Sequence, residues 1–326
     1  MVDGKKLIVS ASPHLRTRDT TRGIMLDVII ALIPTLIASV FIFGPRVLIV
    51  TCVTVGTAVI SEYLARKVMK RHNTIGDLSA IVTGLILAFN LPVTIPLWMA
   101  AIGSFFAIVV VKQFFGGIGQ NFANPAIAAR IVLLISFGQA MADWTAPLSW
   151  KTDAVSTATP LALIGTENEA QLPSLIDMLL GVRAGTIGET CSLLLIAGGV
   201  YLMARKVISA KIPLAYIGTV AVVMLIAGGF DLKFVAYQLM GGGLLLGAFF
   251  MATDYSTSPI KSNAKIVFGI GCGLLTCVVR LFGSLPEGVS FAILIMNLLV
   301  PHIERIMAPK PFGTVKEKKA KGEKAQ

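Results

Sequence analysis

Long apolar runs, separated by short polar or glycine–proline breaks, recur along the whole chain, and each can be judged by its length against a bilayer. A helix rises 1.5 Å per residue, so about 20 apolar residues cross a hydrocarbon core of ~30 Å. On that measure residues 24–43 and 47–64 predict two spanning helices joined at Gly44-Pro45. The third run differs. Between Gly76-Asp77 and Asn90-Leu91-Pro92 its apolar core covers only residues 80–89, about 15 Å of helix. This predicts a broken or re-entrant helix followed by an extended stretch to Pro96. Residues 97–111 predict a fourth span ending at Lys112. A fifth, 126–141, is entered through the glycine- and amide-rich turn 116–125. After a long polar connection, further spans are predicted at 187–204, 212–228, 234–252, 266–282 and 289–306. The eighth contains Gly241-Gly242-Gly243 and runs into Thr253-Asp254.

The pattern predicts an all-α polytopic membrane protein of about ten transmembrane helices. Pairing segment three with segment eight, both small-residue-rich and both ending in a polar break, divides the spans into two five-helix repeats. An odd number of helices per repeat inverts one against the other in the membrane, with broken helices three and eight in corresponding places. The expected organisation is a cytoplasmic N-terminal segment (1–22), a first repeat (23–142), an outer loop (143–186), a second repeat (187–306) and a basic cytoplasmic tail (307–326).

Composition agrees. Hydrophobic residues make up 55% of the chain and charged ones 14%, against about 25% charged in soluble domains, and the mean hydropathy is +0.82. The net charge of +11 would suit nucleic acid, but the basic tail has no aromatics for base stacking, and none is expected as a partner. Positive loops sort to the cytoplasmic side. With both termini inside, all 28 Lys and Arg residues fall inside except Arg46, Lys151, Arg183, Lys233 and Arg280. The polar, basic first 22 residues lack the pattern of a cleavable signal peptide. Cys52, Cys191, Cys272 and Cys277 lie in apolar segments without a CxxC pair, and read as small buried residues; an iron–sulfur cluster shared with a partner is the alternative.

Candidate chemistry concentrates in the loop. The run Asp153-Ala-Val-Ser156-Thr157-Ala158-Thr159-Pro160-Leu161 offers a threonine hydroxyl that a modifying enzyme could phosphorylate or esterify. Pro160 biases Thr159 toward an extended backbone, and small neighbours should leave it unshielded. Taken alone, the run also reads as a solvated loop of turn-forming residues. Asp27, Glu62, Asp77, Glu189 and Asp254 fall near span ends, where capping or interfacial roles are expected. Arg130, just inside the fifth span, could balance an anion or snorkel to the interface. The glycine turn before Asn124-Pro125 could cradle phosphate, or simply reverse the chain on the side away from Thr159.

Four stretches occur in a telling order: Gly76-Asp-Leu-Ser-Ala-Ile-Val-Thr-Gly-Leu-Ile-Leu-Ala-Phe-Asn-Leu-Pro92, Phe115-Gly-Gly-Ile-Gly-Gln-Asn-Phe-Ala-Asn-Pro125, the Ser-Thr-Ala-Thr run, and Met251-Ala-Thr-Asp254. Together they resemble the D subunits of Rnf complexes, and are similar to the B subunits of Na⁺-translocating NADH:quinone reductases. The short segment before the first span favours the former. The resemblance implies a subunit, not active alone, of an ion-translocating ferredoxin:NAD⁺ oxidoreductase in the inner (cytoplasmic) membrane. It implies FMN joined by a phosphoester to Thr159, the last threonine of an S-(T/G)-A-T motif, with Asp153, Ser156, Thr157 and Ala158 completing the motif. It further implies a noncovalent riboflavin, iron–sulfur subunits and a second covalent-FMN subunit as partners, and a flavin transferase during maturation. The paired breaks alone would also fit a channel or secondary transporter, and a purely structural membrane subunit is the third possibility.

Overall fold

A computed structural model describes residues 20–148, 150, 157–164, 172–189, 191–283 and 287–308. The expectations for the N-terminal segment, the basic tail, Asp153 and Ser156 lie outside, or almost wholly outside, that set. The described chain is helical, and its long helices form where the apolar runs predict them. Helix α1 (Thr21–Phe43) opens on the Thr20 hydroxyl, which accepts from the Gly23 amide at 3.1 Å, and closes at Gly44, with φ at 86°. Helix α2 (Arg46–Val68) follows at once.

Helix α3 (Ser79–Phe89) is short, as its flanks predict. Asp77 Oδ1 accepts from the Ser79 amide at 2.8 Å, meeting one of the donors a helix start leaves unpaired. At the other end Asn90 folds back to donate to the Ile86 carbonyl at 2.7 Å, and the chain continues without regular structure to Pro96. Helix α4 begins at Leu97 and widens to π geometry over Phe106–Gln113. That widening, which periodicity does not foretell, turns both Lys112 and Gln113 into the interior. Helix α5 (Pro125–Ser136) starts on Asn124, whose Oδ1 accepts from the Ala126 amide at 3.0 Å; Gly138–Met141 forms a short α6.

In the connection, α7 (Pro160–Leu163) and α8 (Leu175–Leu180) are short. Then come α9 (Ser192–Ala204), α10 (Lys211–Ala227), α11 (Leu232–Met240), α12 (Leu244–Met251), α13 (Ser262–Phe282) and α14 (Val289–Ile306). The eighth predicted span is therefore two helices, α11 and α12, bent by 61° at the three glycines. Among the described residues α1, α2, α13 and α14 are long and apolar enough to cross a bilayer, and α11–α12 makes a fifth if counted as one span. The protein is thus a multi-pass, all-helical membrane protein.

Small residues bring these helices together, as expected where lipid supplies no hydrophobic drive for association. A Cβ at Gly84 would lie 2.8 Å from Val55 Cα, so α3 rests directly on the α2 backbone. Gly269 and Gly273, one turn apart on α13, give α10 the same close approach at Ala215 and Thr219.

Polar contacts gather the loops at two ends. At one, Leu148 donates to Ile42, Thr94 to Asp143, and Arg46 to Val93. At the other, Arg71 donates to Gln113, Tyr255 to Val207, and Lys261 to Glu304.

Candidate functional site

Thr159 lies at the first of these ends. Its backbone is extended, with φ −69° and ψ 152°, as the following proline requires, and it leads into α7 without its side chain capping that helix. One expectation fails. Thr159 is buried, at 6% exposure, although Thr157 and Ala158 beside it are exposed. The small neighbours do not shield it; tertiary packing does. The Thr157 amide is tied to the Trp144 carbonyl at 2.9 Å. Leu161 presses on the α11–α12 break, so closely that a Cβ at Gly242 would lie 2.5 Å from its Cδ1. Gly242 and Gly243, with φ at 62° and 66°, need the left-handed backbone that glycine adopts freely. Arg280 holds the break by donating to the carbonyls of Gln238 at 2.5 Å and Gly241 at 3.0 Å.

Beside the motif is a cavity of about 220 Å³ bordered by Thr157, Ala158, Pro160, Pro173, Val182 and Arg183. Arg183 is 4% exposed. Its Nη2 donates to the Glu189 carbonyl at 2.6 Å and its Nη1 contacts Met178 Sδ at 3.5 Å, while its Nε has no partner among the described residues. Burial pulls this guanidinium below its usual range, and the Glu189 carboxylate opposes that pull. Arg183 was visible in the sequence only as one of five basic residues that the predicted topology leaves outside.

The other ionisable groups divide. Asp77 caps α3 as expected, and Asp27 accepts from Tyr201 at 3.0 Å and pairs with Arg205 at 3.3 Å. Asp254 accepts from Thr257 at 3.1 Å. Glu62 and Glu189 are buried within the bundle. Glu62 pairs with Lys112 at 2.7 Å, and Lys112 also donates to Ser79 at 2.6 Å. Arg130 does not snorkel: it is buried, donates to Asn90 at 3.3 Å and Ser290 at 2.7 Å, and pairs with Glu287. Glu287, in the turn before α14, carries no local sequence signal. Among the cysteines three are buried and Cys52 is exposed.

The glycine turn lies at the opposite end from Thr159. Gly116, Gly117 and Gly119 have φ at 125°, 107° and 86°. A Cβ at Gly117 would collide with the Arg66 side chain, so the turn is built around that guanidinium.

Residues 8–313 match the model of the NQR2, RnfD, RnfE family. The chain is 44% identical to the D subunit of the Na⁺-translocating ferredoxin:NAD⁺ oxidoreductase complex of Acetobacterium woodii, over 96% of this chain and 97% of that one. It is 41% identical to the D subunit of the proton-translocating ferredoxin:NAD⁺ oxidoreductase complex of Clostridium ljungdahlii, over 94% and 96%. It is 32% identical to the D subunit of the ion-translocating oxidoreductase complex of Escherichia coli strain K12, over 94% and 98%. A family match across nearly the full length, covering the stretches that build the two breaks and the loop between them, means that this chain belongs to the NQR2, RnfD, RnfE family.

Proposed function

We propose that this chain is a membrane subunit of an ion-translocating ferredoxin:NAD⁺ oxidoreductase complex and carries FMN as a phosphoester on Thr159. The observation that supports the reading best is the setting of the motif: an extended threonine, not used as a helix cap, between residues that border a cavity. At about 220 Å³ the cavity is smaller than sites that enclose a whole drug-sized ligand. It suits the phosphate end, with the isoalloxazine left toward neighbouring subunits. Once bound, the flavin would supply the electron-transfer chemistry. Esterification replaces the Thr159 hydroxyl hydrogen with the FMN phosphoryl group, with loss of one water overall. Because Thr159 is buried, attachment precedes closure of residues 157–164 onto the α11–α12 break. A flavin transferase, iron–sulfur subunits and a second covalent-FMN subunit are its partners under this reading; a noncovalent riboflavin within the membrane has no assigned contacts.

The same reading includes ten membrane segments in two inverted repeats, both termini in the cytoplasm, and the Thr159 loop on the outer face of the inner membrane. Its support lies in the two breaks. Left-handed Leu78 (φ 64°) precedes α3, and left-handed Gly243 (φ 66°) precedes α12. A cation from the following helix reaches each: Lys112 to Ser79, and Arg280 to the Gly241 carbonyl. Coupling to Na⁺ or H⁺ movement would run through this paired architecture, which a channel or secondary transporter would share. A denaturing gel viewed under ultraviolet light, with the flavin transferase co-expressed, separates the two. The flavoprotein reading expects a fluorescent band lost in Thr159→Ala, whereas the transporter reading expects none.

A further inference from the structure

Arg183 makes no ion pair with its described neighbours, and the Glu189 carboxylate acts on it only through space. It is a buried cation with no carboxylate within 4.0 Å among the described residues. Two of its three nitrogens meet a backbone carbonyl and a thioether, both uncharged. The third, Nε, meets no hydrogen-bond partner among the described residues. A buried charge left this way is costly unless paired. Its Nη2 bond to Glu189 fixes the guanidinium plane, so Nε is held in place rather than free to swing to solvent. The residue also borders the cavity that Thr157, Ala158 and Pro160 line on either side of Thr159. The described protein therefore supplies a fixed, unsatisfied donor of positive charge, a cavity too small for a whole flavin, and an esterifiable hydroxyl in the segment that walls it.

We propose that Arg183 is the phosphate-binding residue of this site: its Nε donates to a non-bridging oxygen of the phosphodiester on Thr159, which brings a negative charge into direct contact with it. Arginine suits the task because its rigid planar fork stays charged when buried and matches phosphate geometry. Arg183 thus acts as a positioning residue. It anchors the phosphate so that the flavin ring leaves the cavity in one direction, and it holds the 157–164 segment closed after attachment. The inference rests on the reading of Thr159 as the flavin-bearing residue.

The test uses the assembled complex, made with the flavin transferase, ¹⁵N-labelled at arginine and purified in phosphorus-free detergent. Solid-state NMR would measure dephasing of arginine ¹⁵Nε by ³¹P, and mass spectrometry would weigh the Thr159 peptide. The expected result is FMN on the peptide together with ¹⁵Nε–³¹P dephasing that is lost in Thr159→Ala and in Arg183→Lys. FMN on the peptide without a dephasing component that depends on Thr159 would overturn the role of Arg183 and leave the flavin reading intact. So would a Thr159-dependent component that survives in Arg183→Lys. A peptide without FMN would remove the flavin reading itself, and this inference with it. The wild-type signal requires no variant to fold, so a misfolded Arg183→Lys does not rescue the proposal.

Discussion

The buried pair of Glu62 and Lys112 gives the sharpest test of the packing. Lys112 Nζ lies 2.7 Å from Glu62 Oε2 and 2.6 Å from Ser79 Oγ, and Thr74 donates to Glu62 Oε1 at 2.6 Å. The two side chains are 3% and 0% exposed, lysine first. Lys112→Met would leave the carboxylate with a single hydroxyl, and Glu62→Gln would leave the ammonium beside neutral oxygens alone. Removing one member of a buried pair costs about 3–5 kcal/mol, because the survivor is stranded; replacing both is far milder. Each single variant should therefore lose about 3 kcal/mol, and Glu62→Gln with Lys112→Met should lose less than either alone. The assay is detergent-titrated unfolding of the purified chain followed by circular dichroism, analysed as a double-mutant cycle. Single variants within about 0.5 kcal/mol of the parent, or a double variant equal to the sum of the singles, would refute a paired, dry site at the start of α3.

Three further outcomes follow from the same packing. Gly84→Leu places side-chain atoms where α2 backbone already lies, 2.8 Å from the Cβ position, and should destabilise the chain by about 1–3 kcal/mol in the same unfolding assay. Gly242→Ala adds left-handed strain of roughly 1–2 kcal/mol and collides with Leu161; limited proteolysis should cut the 157–164 segment faster while leaving α13 and α14 intact. Ala158→Cys creates a thiol at an exposed position, and an impermeant maleimide should label it from outside intact spheroplasts. Labelling only after lysis would reverse the topology.

The apolar runs made the helices legible because length and hydrophobicity are local properties. Asn90-Leu-Pro92 announced the short α3 for the same reason. What stayed hidden depended on partners distant in sequence. Three glycines signalled a weak point in the eighth span, but the bend depends on Arg280 reaching carbonyls some 40 residues away. Glu62 and Arg130 read as charges near span ends, with nothing local to show that Lys112 and Glu287 meet them within the bundle. The best signal passed over was the charge rule itself. Of the basic residues that the predicted topology leaves outside, Arg46, Arg183 and Arg280 each donate to backbone carbonyls at a break or in the loop. Misplaced cations were thus pointers to the site. The Thr159 motif was readable as chemistry, yet its burial was not, since that arises from Leu161 packing on a distant glycine.

The central claim, a flavin held covalently at one threonine, is tested most directly by weighing peptides of the mature protein. The peptide containing Thr159 should carry the mass of one FMN less water, with the modification localised to that residue by fragmentation. An unmodified Thr159 peptide from protein matured with the flavin transferase, or FMN found on Thr157 instead, would contradict it.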